Sequence, residues 1–298
     1  MRAALAYPST DFHQGLWKAL PIMSDQSSYV APPAQIPAGA SRRLPPFATA
    51  RTISALILRE VISRYGRTPG GYIWALVQPM AIILILSFAF ALLQRNPALG
   101  TSFILFKATG FLVVQMTMQT AGYAGMALQF SRPLLAYPRV SWIDAVLARV
   151  VLNVYIKLVV STIILTGIVY FEQVRTLLHW PSILLAMGMA AMLGLALGVL
   201  NCFLFMRFPV WQQVWGILTA PVTLVSGVII LYEDMPPLAQ KILWYNPLLH
   251  LTGIMRDGFY PIYSPQYVSY VYVSLWVVVP MTLGLILMRR YHRVLLQL

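Results

Sequence analysis

Acidic residues are scarce in this 298-residue chain: Asp and Glu together number 8, against 21 Lys and Arg. Charged residues of both signs make up 10% of it, where an ordinary soluble domain carries about 25%. So little charge cannot cover a water-soluble protein of this size, which excludes an ordinary cytosolic enzyme and a disordered chain. Cysteine is limited to Cys202, inside an apolar run, so neither an intrachain disulfide nor a cysteine-based metal site can form. The four histidines, His13, His179, His250 and His292, lie far apart in sequence, which argues against a metal site. None of the four lysines, Lys18, Lys107, Lys157 and Lys241, follows a glycine. The Gly-Lys-Ser/Thr run that cradles phosphate is therefore missing, as are H-E-x-x-H and G-x-S-x-G. Any energised work must draw on a partner or an ion gradient.

What the chain has in quantity is apolar sequence: 59% of residues, with a mean hydropathy of +0.73. Residues 68–94, 108–131, 176–206, 208–232 and 258–288 are free of Asp, Glu, Lys and Arg. A sixth apolar stretch, 143–170, is interrupted only by Asp144, Arg149 and Lys157. A bilayer-spanning helix needs about 20 residues. The expected fold is therefore all-α and integral to the membrane, with six spans near 73–93, 106–127, 143–170, 182–205, 212–231 and 267–288. Barrel-type alternation is absent. Only Met206–Trp211 separates the fourth and fifth spans, which predicts a tight helical hairpin there. The uncharged segment 242–255 is too short to span and reads as a re-entrant or interfacial piece before the sixth span.

The basic residues set an expected orientation. Fifteen of them lie on the side of both termini: the eight before the first span, Arg132, Arg139, Arg149, Arg207, and Arg289, Arg290 and Arg293. Five lie opposite: Arg95, Lys107, Arg175, Lys241 and Arg256. Positive charge retained inside predicts that both termini are cytoplasmic. Because the charges are spread between apolar runs, the net charge of +13 does not point to nucleic acid.

Three segments follow: a Pro-rich extension over 1–46, an amphipathic segment over 47–66, and a six-helix transmembrane body over 67–298. The extension has no continuous apolar core, so it is not read as a signal peptide. Within 51–66, Ile57, Leu58, Val61, Ile62 and Tyr65 share one helical face, with Arg59, Glu60, Ser63 and Arg64 on the other. This predicts a helix lying in the cytoplasmic headgroup layer, serving as an anchor or as a docking surface for a cytoplasmic partner. Glu60 and Arg64 stand i, i+4 in the favourable order.

Intramembrane charge is sparse. Lys157 falls near the middle of the third span, where an ammonium costs at least about 2.5–3.5 kcal/mol. It either snorkels or pairs with a carbonyl, or it faces a passage for an anionic polymer. A proton-coupled carrier would need buried carboxylates, and the span interiors offer almost none. Trp211 and Trp215, one turn apart, and Tyr263 and Tyr267 on the outer side fit an interfacial aromatic belt. They also fit a set of flat faces for sugar rings.

Several pieces in order resemble one family. Leu58-Arg59-Glu60, Arg64-Tyr65-Gly66, Gly71-Tyr72-Ile73-Trp74-Ala75 and Pro79 open the match. Leu134-Leu135-Ala136-Tyr137-Pro138-Arg139-Val140, Asp144 and Ala148-Arg149 continue it. Trp244-Tyr245-Asn246-Pro247-Leu248-Leu249-His250 and Arg256 close it. Over about residues 50–298 the chain resembles the permease subunit of ABC exporters for capsular and related polysaccharides, in the group that also exports O-antigen and teichoic acid. The extension of about 45 residues departs from that pattern.

The resemblance implies a permease of the bacterial inner membrane, acting as a homodimer with two copies of a separate ATPase subunit. ATP and Mg would be bound by that partner, and no cofactor by this chain. Arg59, Glu60, Arg64, Arg132, Leu134, Leu135, Tyr137 and Arg139 would couple to the ATPase. Lys157, Trp211, Trp215, Asn246, His250, Arg256, Tyr263 and Tyr267 are the candidates for the substrate path. Periplasmic and outer-membrane export proteins are further expected partners, besides membrane lipid and the glycan. The main alternative is a permease of the same broad group for a small lipid or drug-like molecule. A membrane scaffold, or an enzyme acting on lipid-linked sugar, fits the residues less well.

Overall fold

The computed structural model describes residues 48–65, 70–93, 96–135, 140–174 and 177–297. The extension expected over 1–46 lies outside the described residues. Every regular element among the described residues is helical. In chain order these are α1 (Ala48–Tyr65), α2 (Gly71–Leu93), α3 (Phe103–Gly125), α4 (Ala127–Leu135) and α5 (Trp142–Phe171). Then come α6 (Trp180–Arg207), α7 (Pro209–Thr223), α8 (Pro237–Leu243), α9 (Pro247–Phe259) and α10 (Tyr270–Gln297).

Four segments are long and apolar enough to cross a bilayer: Ile73–Leu93, Trp142–Phe171, Trp180–Arg207 and Tyr270–His292. They fall on four of the six expected spans. The other two differ from a plain span for physical reasons. Helix α3 carries Lys107, Gln115, Thr117, Gln119 and Thr120, and its residues from Leu105 to Thr117 are all buried. Enclosed by protein, it can hold polar groups that a lipid-facing helix cannot. Helix α7 regularly covers only 15 residues. It runs into a single wide turn, Leu224–Val228, where Gly227 takes a φ of 76°. A left-handed residue ends a regular helix, and only glycine adopts it without strain.

Helix α3 is the hub and packs against α2, α5, α6 and α9. Its contact with α6 is built on small residues. A Cβ added at Gly194 would stand 2.8 Å from the Thr117 carbonyl oxygen, so the two backbones nearly touch. Ala190, Gly194 and Gly198 recur every four residues along that face of α6. Between apolar helices in lipid, close backbone approach supplies the attraction that a hydrophobic effect supplies in water. Thr117 adds an interhelical bond, donating to the Ala190 carbonyl at 3.1 Å. Gly284 plays the same part on α10, where a Cβ would stand 2.7 Å from the Leu200 nitrogen of α6. Ile83, Leu105, Leu112, Met116, Leu193 and Met255 fill the main core around this hub.

Local signals place several ends. Ser141 caps α5 in a capping box with Asp144, satisfying two amide donors. Phe208 closes α6 and opens α7 before Pro209, so the chain changes helix within the Met206–Trp211 segment. Asn246 caps α9 by accepting from the Leu248 amide at 3.1 Å.

Candidate functional site

Three polar clusters interrupt the apolar bundle. The first joins α1, α4 and α5. Glu60 of α1 is ion-paired to Arg149 of α5 at 2.9 Å, and the two side chains are only 18% and 7% exposed. The Arg149 guanidinium also lies over the Phe130 ring of α4, 4.4 Å from its centroid. One buried cation thus ties α1 and α4 to the start of α5. Leu58 and Ile62 of α1 point away from the bundle, each 62% exposed. Helix spacing alone offered Arg64 as the neighbour of Glu60; the fold brings Arg149 to it from 89 positions away. Arg59 and Arg132 are exposed, and Leu135 is half-buried against a small core formed by Ala127, Val146 and Val199. The side chains of Arg64 and Leu134, and all of Tyr137 and Arg139, lie outside the described residues.

The second cluster sits where α2, α3 and α5 meet. Lys157 is buried and donates from Nζ to Gln115 Oε1 at 3.1 Å. Asn153, one turn earlier on α5, donates to Thr120 Oγ1 at 2.9 Å. A cavity of about 190 Å³ opens beside them, walled also by Trp74, Gln78, Gln119 and Tyr123.

The third cluster surrounds the break after α7. Arg256 is 1% exposed, and its Nη2 donates to the Gly227 carbonyl at 2.6 Å. Its guanidinium packs over Phe106, 3.9 Å from the ring centroid. Lys107 is equally buried; it donates to the Ile229 carbonyl at 2.5 Å and lies 4.0 Å above the Phe90 ring. Two cations therefore face carbonyls left open where the helix breaks, an arrangement favoured by the negative end of a helix. Thr252 donates to the Ser226 carbonyl, and Asn246 donates to Ser226 Oγ at 2.9 Å.

His250 is fully buried; its Nε2 donates to the Trp244 carbonyl at 2.8 Å, and its Nδ1 accepts from the Ser269 amide at 3.2 Å. Those partners require the neutral ring with its proton on Nε2. Trp244, Tyr267 and Tyr272 pack around it. Tyr267 also stacks on Tyr232, with ring centroids 4.1 Å apart. Tyr263 donates to the Glu233 carboxylate at 3.2 Å, and burial pushes its phenol up, so it stays a donor.

The sequence candidates for a path thus divide. Asn246 and Arg256 have side chains committed to the helix break, His250 is held between the Trp244 carbonyl and the Ser269 amide, and Lys157 borders a cavity. Trp211 is half-buried and donates from Nε1 to Asn201 Oδ1 at 3.1 Å; Trp215 is half-buried one turn on. Lys107, Gln115 and Asn153 escaped the sequence reading. Lys107 read there only as one of five outer-side charges; the fold buries it near the start of α3. No short-range signal marks it, because its carbonyl partner lies 122 residues away.

Long apolar helices packed around a polar central one define an all-helical membrane-protein bundle. The chain belongs to the ABC-2 type transporter family, whose pattern matches residues 51–260, from within α1 to the residue after α9. It is 24% identical to the capsule polysaccharide export inner-membrane protein CtrC of Neisseria meningitidis, over 82% of this chain and 92% of that one. It is 26% identical to the capsule polysaccharide export inner-membrane protein BexB of Haemophilus influenzae, with the same coverage. It is 25% identical to the polysialic acid transport protein KpsM of Escherichia coli, over 82% of this chain and 95% of that one.

Proposed function

We propose that this chain is the permease subunit of an ATP-driven exporter that moves capsular or another polysaccharide across the inner membrane. Similarity along nearly the whole length of relatives named for polysaccharide export is the observation that carries this reading. Two copies form the passage, and two copies of a separate ATPase bind ATP and Mg at the cytoplasmic face. In this reading α3 and α7, with its terminal wide turn, complete six spans, and both termini are cytoplasmic. Helix α1 lies at the inner membrane surface with Leu58 and Ile62 toward lipid, as their exposure suits. Residues 1–46 form a cytoplasmic extension, and periplasmic and outer-membrane proteins receive the polymer.

Coupling runs through the Glu60–Arg149–Phe130 cluster. An ATPase that pushes α4 and α1 moves the cytoplasmic end of α5 with them, because a buried ion pair resists separation. Arg59, Arg132 and Arg139 meet the ATPase surface, and Leu134, Leu135 and Tyr137 seat the α4 segment against it. The experiment is deletion of this gene together with that of its ATPase, followed by complementation with either or both. Surface polysaccharide should vanish on deletion and return only with both subunits. A full surface polysaccharide layer in the deletion strain would overturn the proposal.

A further inference from the structure

Two joined cavities lie between α2, α3 and α5, at the end of these helices away from α1 and α4. The first, of about 300 Å³, runs between α2 and α5 and is apolar. Ile83 and Ile164 are buried in it, and Met80, Leu84, Ile163 and Phe171 are exposed along its rim. Gly167 leaves it open, since a Cβ there would meet nothing within 4 Å. It has room for about ten water-sized groups at about 30 Å³ each, and so for a comparable run of methylenes. The second, of about 560 Å³, adds Ser87, Thr101 and Ser102 to its wall. Leu84, Ile104 and Glu172 border both, so the two form one groove with an apolar length and a polar head.

Glu172 is the one formally charged residue in either wall among the described residues. It is exposed and stands at the C-cap of the 30-residue helix α5. A carboxylate is disfavoured at the negative end of a helix, and Glu172 has no ion pair among the described residues. A cation from outside the chain would correct both. In the same wall Ser102 Oγ accepts from the Leu105 amide, which leaves its own proton to donate, and Thr101 beside it is exposed.

We propose that this groove is a binding site for one bilayer phospholipid with a primary ammonium headgroup, the chemistry of phosphatidylethanolamine. The ammonium meets Glu172, the phosphate meets the hydroxyls of Thr101 and Ser102, and one acyl chain lies between α2 and α5. The inference needs a bundle seated in a bilayer and nothing of what that bundle moves, so it goes beyond the exporter reading. Glu172 gives the ammonium a charge-assisted bond. A lipid with the same phosphate but a glycerol in place of the ammonium would set two negative groups in one cavity, so the site selects by charge. The bound chain would also supply packing to α2, whose apolar window is 17% buried, the lowest share of the four long apolar segments.

The test uses the full chain in proteoliposomes carrying a trace of a diazirine-tailed lipid, either phosphatidylethanolamine or phosphatidylglycerol, with labelled residues mapped by mass spectrometry. Another face of α5 supplies the internal control: a groove walled by Leu158, Trp180, Leu184 and Met187 has no charged residue among the described ones. Phosphatidylethanolamine should label Leu84 and Ile163 about five-fold more than phosphatidylglycerol, the upper end for an exposed ion pair, and Leu184 and Met187 equally. Glu172→Gln should erase the preference, and Glu172→Asp should keep it. Gly167→Leu should cut labelling of Leu84 and Ile163 by either lipid about five-fold, because its side chain would occupy the groove, and leave Leu184 and Met187 unchanged. Equal labelling by the two lipids in the wild-type chain, or a preference that survives E172Q, would overturn the site. So would undiminished labelling in G167L. If G167L alters the control groove as well, the bundle is disturbed and the exposed E172Q decides alone. Export in cells bears on the exporter reading only, so either reading can fail without the other.

Discussion

The Glu60–Arg149 pair offers the sharpest energetic test. Its N–O distance is 2.9 Å and both side chains are largely buried, so neither charge is well hydrated when the other is removed. Taking away one partner of a buried pair costs about 3–5 kcal/mol; the 18% exposure of Glu60 puts this pair at about 3 kcal/mol. Glu60→Gln and Arg149→Met should each lose stability on that scale. The swap Glu60→Arg with Arg149→Glu restores the attraction but turns a carboxylate toward the Phe130 ring. The lost cation–π contact costs about 1 kcal/mol, so the swap should recover about 2 of the 3 kcal/mol. A double-mutant cycle on unfolding in mixed micelles measures the coupling, with Phe130→Leu as the control for the ring. A coupling energy below about 0.5 kcal/mol would refute the link, because pairs that do not interact add within that error. Export by the swapped variant at normal membrane abundance should remain below wild type, because the geometry that joins α4 to α5 has changed.

Other consequences follow from single positions. Gly194→Leu should prevent assembly of the bundle, since even a Cβ there meets the Thr117 carbonyl at 2.8 Å; the monodisperse fraction on gel filtration reads this. Gly227→Ala should cost at least about 1–2 kcal/mol from its φ of 76°, and more from contact with the Leu249 side chain, as thermal unfolding would register. Arg132→Glu should abolish export while leaving the protein in the membrane at normal abundance, because Arg132 is exposed at the end of α4; full export by that variant would exclude it from coupling. Trp215→Ala should lower polymer flux without loss of folded protein, and unchanged flux would make Trp215 an interfacial anchor.

Much of the helical frame is legible from the chain because lipid forces backbone polar groups to pair within a helix. Charge-free runs therefore mark α2, α6 and α10, and Pro209 marks the turn between α6 and α7. What is not legible is long-range. Gly227 sits in an apolar run like any membrane-helix glycine, and what traps its carbonyl is Arg256, 29 residues on. Glu60 has a plausible i, i+4 partner in Arg64, and nothing local points to Arg149. The polar side of α3 shows the limit from the other direction: the partners of Lys107, Gln115 and Thr117 lie 122, 42 and 73 residues away in sequence. Local periodicity finds faces, and only packing decides what each face meets.

The most direct measurement is transport by the purified permease, reconstituted into vesicles with its ATPase and a lipid-linked glycan of the producing cell. We expect glycan to cross only when both subunits and ATP are present, and to stop when the Walker lysine of the ATPase is replaced. Crossing at an equal rate without the ATPase or without ATP would contradict a permease driven by a nucleotide-hydrolysing partner.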